Sequence, residues 1–339
     1  MGPRDETVTR PMRAPWRSPA FGQVVTYAVT LFVLVSLNFL LPRVMPGGPI
    51  EAQLSIGSPT YVYDDDVRAE LSAYYGLDRP LGAQYVSYMA DLAHGDLGVS
   101  VATRTPVSKL IGDHLPWTLL LSATGVAIAT AVGFLAGVQA GWRRERRSDS
   151  SLLAGFVALQ NMPSFVLASL ALLLFTVQLG WFPLGGARTP FSSYGGFEAV
   201  ADVAHHLVLP ALVVATEIAA YQFLLTRAGV VRELGADYLV LGRVKGLKER
   251  RIKYRYAARN AMLPVVSNTA VQLGLAITAG IFVERVFAYP GVGSLLFGAI
   301  GSRDYPVLQG CFLVVTVLVV TMNALADVLY RRLDPRARQ

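Results

Sequence analysis

Apolar residues run along this chain in blocks of about twenty, separated by polar stretches of very unequal length. A helix needs about 20 predominantly apolar residues to cross a hydrocarbon core of ~30 Å. Six blocks reach that length: 21–41, 117–140, 152–179, 207–225, 262–283 and 307–329. The pattern predicts an all-α polytopic membrane protein with six transmembrane helices. The third block contains "NMPSF", where Pro163 is expected to kink the helix without ending it. Trp16, Trp117, Trp142 and Trp181 fall at or just outside the ends of blocks, where amphipathic rings prefer to sit.

Composition agrees with the pattern. Only 16% of residues are charged and 53% are hydrophobic, against roughly 25% charged in soluble domains. Mean hydropathy is +0.44. Arg10, Arg13 and Arg17 precede the first block in the manner of a leader sequence. That block is too long for one, however, and "LPRVMPGGP" after it offers no small-x-small cleavage site. An uncleaved anchor is expected.

Charge orients the spans. Six spans put both termini on one side, together with the connections after the second and fourth spans. That side carries 22 of the 30 Lys and Arg: four in residues 1–20, four in 143–147, ten from Arg227 to Arg259 and four in 331–338. Thirteen of the 23 acidic residues lie opposite, Asp64, Asp65 and Asp66 among them. Positive loops stay in the cytoplasm, so cytoplasmic tails are expected at 1–20 and 331–339. Residues 42–116 become an extracytoplasmic segment. Its short amphipathic pieces, "DVRAELSAYYGL" and "LGAQYVSYMADLA", predict small helices over the outer face. They serve equally well as a cap on the bundle or as a docking surface.

Catalytic motifs are missing. There is no Walker A sequence, no His-Glu-x-x-His, no paired Cys motif and no Gly-x-Ser-x-Gly. "GRVKGLK" lacks the spacing and the Lys-Ser/Thr ending that hold phosphate and magnesium. Cys311, the single cysteine, lies in an apolar run and excludes an intrachain disulfide. Of the four histidines, the adjacent His205 and His206 fit a metal less well than solvation at the outer interface.

Polar residues inside the blocks are few: Asn38, Gln160, Asn161, Glu217, Asn268, Gln272, Asn323 and Asp327. Ionisable groups at such depth face a cavity or a partner helix. Glu217 in "VVATEIAAYQF" suits a path for a cationic substrate group, such as a peptide amino terminus, or a hydrogen bond between helices. Gln160, Asn161 and Gln272 join it as candidates for the path. Asp327 lies one turn before Arg331, within reach of an ion pair.

The basic stretch "ADYLVLGRVKGLKERRIKYRYAARNAMLP" (236–264) is more patterned than a charge run. A first short helix ends at Gly246, a good C′ residue. "KERRIKYRYAARNAM" predicts a second, with Ile252 and Tyr256 on one face, and Leu263-Pro264 is expected to open the fifth span. Two short helices about a glycine make a compact knob suited to a groove on another protein, although clustered bases beside a span also attract anionic lipid.

This loop resembles the EAA loop of binding-protein-dependent ABC importer permeases, in the form found in the dipeptide/oligopeptide (peptide/nickel) class. "YGLDRPLGAQY", "HGDLGVS", "PVSKLIGDHLPWTLLLS", "LGWFPLGG", "VERVFAYPGVGSLLFGAI", "RDYPVLQG" and "NALADVLYRRLDPRAR" extend the resemblance over most of the chain. It implies a type I importer permease domain at 112–330 with a coupling loop at 227–261, in a bacterial inner membrane. The implied partners are a second permease subunit, two cytoplasmic ABC ATPase domains that bind ATP and magnesium, an extracytoplasmic solute-binding protein and a peptide substrate, with no nucleic acid and no cofactor in this chain. Coupling contacts carry over to Arg243, Lys245, Gly246, Leu247 and Glu249, flanked by Asp237 and Arg250. The family's second alanine aligns with Gly242, and Glu217 stands where an uncharged residue is expected. Nickel chelates or glutathione are alternative cargoes. A stand-alone channel, or a carrier using Glu217 as its proton site, is the reading from another class.

Overall fold

The computed structural model of the chain describes residues 19–44 and 78–333. Over these residues it is helical, with a lone bridge between Val99 and Pro106 in place of any strand. The helices are α1 (Pro19–Val44), α2 (Leu81–Ala93), α3 (Val107–Trp142), α4 (Arg147–Gln160), α5 (Ser164–Gln178), α6 (Gly196–Glu233), α7 (Asp237–Val244), α8 (Glu249–Val286), α9 (Val292–Ser302) and α10 (Tyr305–Leu333). α2 is the expected "LGAQYVSYMADLA" helix; "DVRAELSAYYGL" lies outside the described residues.

The centre of the bundle is the α3–α6 pair. Its seam is written in glycine. Gly133, Gly137 and Gly141 recur every fourth residue on α3, and a methyl group on any of them would lie 2.7–2.9 Å from an α6 backbone oxygen, that of Ala219, Phe223 or Arg227. Spans that cannot exclude water from one another associate through such close packing of small residues. α8 lies across this pair and against α10, and α1 packs on α10 with most of its surface outward. Gln222, fully buried in α6, donates from Nε2 to Thr269 of α8 at 3.3 Å and to Thr130 of α3 at 3.5 Å.

Four helices, α1, α3, α6 and α10, are long and apolar enough to cross a membrane, as is the apolar part of α8. The expected third span departs from the sequence pattern. The third block does not kink; it breaks, α4 and α5 meeting at 100°. Pro163 has no N–H to give and repels the carbonyl of the preceding turn, and it forces Met162 away from helical geometry. The Leu159 carbonyl, left without a donor at position 163, accepts the Met162 N–H at 3.2 Å instead, and Asn161 adds its side-chain amide to the Val157 carbonyl at 2.7 Å.

The end of the bundle holding α9 is tied by two acids. Fully buried Glu284 of α8 accepts from Thr118 Oγ1 of α3 at 2.7 Å and from the Gly293 and Ser294 N–H groups at 2.7 and 3.3 Å. It thereby caps the start of α9, with Thr118 Oγ1 accepting the Val292 N–H at 2.8 Å. Asp304 accepts from Ser100 and from the Ala102 N–H, binding the chain before α3 to the start of α10. Asp327, expected to pair with Arg331, accepts from Tyr27 of α1 at 2.8 Å; the Arg331 side chain lies outside the described residues.

Candidate functional site

The basic loop folds as a knob at the opposite end of the bundle. α7 stops because Gly246 takes a left-handed conformation (φ 73°), which a residue with a Cβ resists. The Leu247 N–H then bonds back to the Gly242 carbonyl and the Gly246 N–H to that of Arg243, at 3.1 and 2.9 Å. These two bonds are a Schellman motif, which satisfies carbonyls that the helix end would leave bare. Asp237 and Glu249 occupy the first turns of α7 and α8, where a carboxylate complements the helix dipole.

Beyond the glycine the structure corrects the sequence expectation. There is no separate second helix and no new start at Leu263-Pro264: α8 runs without interruption from Glu249 to Val286, with Pro264 inside it. Its early part, Ile252–Ala257, winds as a π-helix. Hydrogen bonds from i to i+5 put residues five apart on one face, so Ile252 shares its face with Ala257, and both are fully buried with Leu239 of α7. Tyr256, the expected partner of Ile252, is exposed instead. Trp142, Tyr238 and Leu247 close over this small core. The knob is therefore the first two turns of a span folded against a short helix.

Of the predicted contact residues, Asp237, Arg243, Lys245, Gly246, Glu249 and Arg250 are exposed and Leu247 is half-buried. Arg243 and Glu249 pair at 3.1 Å across the glycine, an exposed pair worth little by itself. Between the charges α7 shows solvent an apolar strip of Val240, Leu241 and Val244, the last 79% exposed. Lys253 behaves differently from the other bases, turning inward to donate to Gln139 of α3.

Three anchoring residues carry no signal in the sequence pattern. Tyr238 of α7 donates its hydroxyl to the Glu233 carboxylate at the end of α6, and Asn260 of α8 donates to the Tyr238 hydroxyl at 2.9 Å. Burial and the adjacent Glu233 push the Tyr238 phenol above its ordinary pKa, which keeps it a donor. Nearby, buried Asp149 of α4 grips Arg227 of α6 with two bonds of 2.7 Å. Arg227 is thus a structural base.

The candidate path residues are not brought together. Glu217 sits midway along α6, half-buried, with no hydrogen-bond or ionic partner among the described residues. Gln160 and Asn161 are exposed at the α4–α5 break, whereas Gln272 is buried on α8. None of the four lines the recess of about 380 Å³ at the α9 end, which is walled by Arg43, Arg79, Asp91 and Asp96 among others. His205 and His206 bond to main-chain oxygens of Trp181 and Asp202.

Residues 129–339 match the family model described as "Binding-protein-dependent transport system inner membrane component". The chain is 37% identical to a putative peptide permease protein of Brucella ovis, with 91% of this chain and 95% of the relative covered. It is 34% identical to the di/tripeptide transport system permease protein DppB of Pseudomonas aeruginosa, over the same shares. Identity to the glutathione transport system permease protein GsiC of Escherichia coli is likewise 34%, over 91% of this chain and 95% of the relative.

Proposed function

Because the chain belongs to the binding-protein-dependent transport system inner membrane component family, we propose that it forms half of the translocation path of an ATP-driven peptide importer and couples that path to a cytoplasmic ATPase. It is an integral membrane protein of several spans. The observation that carries the coupling role is the knob: a preformed exposed surface, built on a glycine turn, whose second half is continuous with a membrane span. Its apolar strip inside a ring of bases suits a groove with an apolar floor and an acidic rim.

In this reading the type I domain occupies 112–330, the loop 227–261 faces the cytoplasm with both termini, and ATP and magnesium belong to two partner ATPase domains. A second permease completes the path and a solute-binding protein delivers cargo from outside. Closure of the ATPases moves the knobs, and the spans switch between outward and inward openings, a remote bias on a two-state element. Arg243, Lys245, Gly246, Leu247 and Glu249 make the contact, with Asp237 and Arg250 at its edge.

Replacing Gly246 with Trp forces a side chain into left-handed backbone and enlarges the tip. In the assembled transporter, ATP-dependent peptide uptake should fall to background while the membrane subunits still assemble. Undiminished uptake and ATPase stimulation would remove the coupling role. Peptide is the preferred cargo, because a relative named for peptides is 37% identical and the one named for glutathione 34%, over the same shares of each chain. Glu217, at mid-span and unpartnered among the described residues, is proposed to meet a cationic group on the cargo, with Gln160, Asn161 and Gln272 on the same path. Glu217→Gln should then slow uptake of cationic peptides more than neutral ones; equal effects on both would discard that role.

A further inference from the structure

We infer that Glu233, Tyr238 and Asn260 are positioning residues for energy coupling, a polar clasp that makes the knob move as one body with the fourth and fifth spans. The inference rests on the coupling role proposed above and adds the route by which displacement leaves the knob.

Three elements meet at one hydroxyl. The α7 helix is only eight residues long, and helices this short hold no fixed orientation by their own propensity. On its α8 side it is attached through the apolar contacts of Leu239 with Ile252 and Ala257, and such contacts resist separation far better than sliding, being non-directional. On its α6 side it follows Leu234, Gly235 and Ala236, a turn closed by the Ala236 N–H on the Glu233 carbonyl at 2.9 Å. A glycine in that turn leaves the backbone free to swivel. The directional constraint is supplied by side chains: Asn260 donates to Tyr238 and Tyr238 donates to Glu233. Asn260 also reaches Glu233 Oε2 at 3.4 Å, closing a triangle.

The triangle lies on the inner flank of the knob. The proposed partner contacts, Arg243 to Arg250, sit at its far end. Lys253 adds a second tie, from the base of α8 to Gln139 of α3. Without the clasp the knob keeps its docking surface and its small core, but a push on the tip swings α7 about Gly235 before the spans respond. Coupling between distant sites needs contiguous rigid parts with two arrangements, and a compliant joint at this place dissipates the stroke.

The test uses the complete importer in proteoliposomes, with both permeases, both ATPases and the binding protein. Tyr238→Phe and Asn260→Leu remove the two donors; Glu233→Gln keeps an acceptor oxygen for Tyr238. ATP hydrolysed and peptide imported are measured in the same vesicles, and assembly is scored by co-purification of the ATPases. For Tyr238→Phe the expected result is full assembly, an ATPase KM for ATP unchanged within twofold, and ATP consumed per peptide raised by roughly fivefold to tenfold. Glu233→Gln should restore most of the wild-type ratio. A Tyr238→Phe importer that moves peptide at the wild-type ATP cost overturns the proposal. Loss of assembly with an unchanged ratio in the remaining complexes also overturns it, since the clasp would then serve stability alone. If wild-type vesicles import peptide without ATP, the underlying coupling role fails, and that arm reports it separately.

Discussion

Glu284 has no cationic partner among the described residues and no contact with solvent, yet it holds three donors from two other helices. Its position explains the glycines that follow it. A methyl group on Gly291 would lie 2.2–2.3 Å from the carboxyl group, and one on Gly293 would lie 2.8 Å from Oε2 and 2.6 Å from the Ile281 backbone. Glu284→Ala strands Thr118 and two N–H groups of α9 in a dry site, and each unmet bond costs about 1–3 kcal/mol. Detergent-solubilised Glu284→Ala should therefore unfold well below wild type on heating, with Glu284→Gln between the two. Equal melting of the three would show that the cap contributes nothing. A second residue is informative in the opposite direction. Gly242 stands where the family resemblance calls for alanine, and a methyl group there would meet Ile252 and Leu247 at an ordinary 3.6–3.8 Å. Gly242→Ala should stabilise α7 by up to ~1 kcal/mol through its helix propensity, seen as slower proteolysis at the knob; faster cleavage would count against it.

At the scale of elements, the α3–α6 seam sets how close the two central spans lie. Gly137 lies at the middle of the seam, where a Cβ would sit 2.7 Å from both the Phe223 carbonyl oxygen and Thr226 Cβ. Gly137→Ala must push α6 outward, and overpacking of this kind costs about 1–3 kcal/mol. Gly155→Ala on α4 is the matched control, because its Cβ meets nothing within 4 Å. Thermal denaturation should separate the pair, with Gly137→Ala lower; identical curves would mean that the seam relaxes freely. The spans themselves were legible because a block of about twenty apolar residues has one solution in a bilayer. The glycine seam was not, since its meaning depends on which helix lies opposite. The same limit hid the π turn. A one-residue change of period moves Ala257 onto the buried face in place of Tyr256, and only packing against Leu239 reveals it. At Pro163 the sequence gives the place of a disturbance and leaves its size to tertiary context. Asn161, read as a path residue, turns its amide back to the Val157 carbonyl at the end of α4. Glu284 lies one residue beyond the expected span, and nothing in the sequence pattern marks its burial or singles out Glu233, Tyr238 and Asn260.

For the whole molecule, direction across the membrane is the property on which the proposed role depends. The charge count predicts the knob and both termini inside, and the loop between α5 and α6 outside. The chain offers a clean way to check this, because its single cysteine, Cys311, is fully buried in α10 and a buried thiol away from water is inert to bulky reagents. A cysteine placed at Lys245, on the exposed tip, should be silent to a membrane-impermeant maleimide added to intact cells and should react once the membrane is opened. A cysteine at Ser192, in the exposed turn after Thr189, should react from outside without permeabilisation. The opposite pattern would turn the protein over, leaving the knob where no ATP is available and removing the importer reading altogether. Matching labels at both sites before and after opening would show instead that α6 does not cross the membrane. Among the described residues the broken α4–α5 pair is where the span count can fall from six to five, because a re-entrant pair with a 100° bend returns to its own side. In that case a cysteine at Ser192 would label from the same side as one at exposed Glu145, in the connection between α3 and α4, while α6 would still separate Ser192 from Lys245.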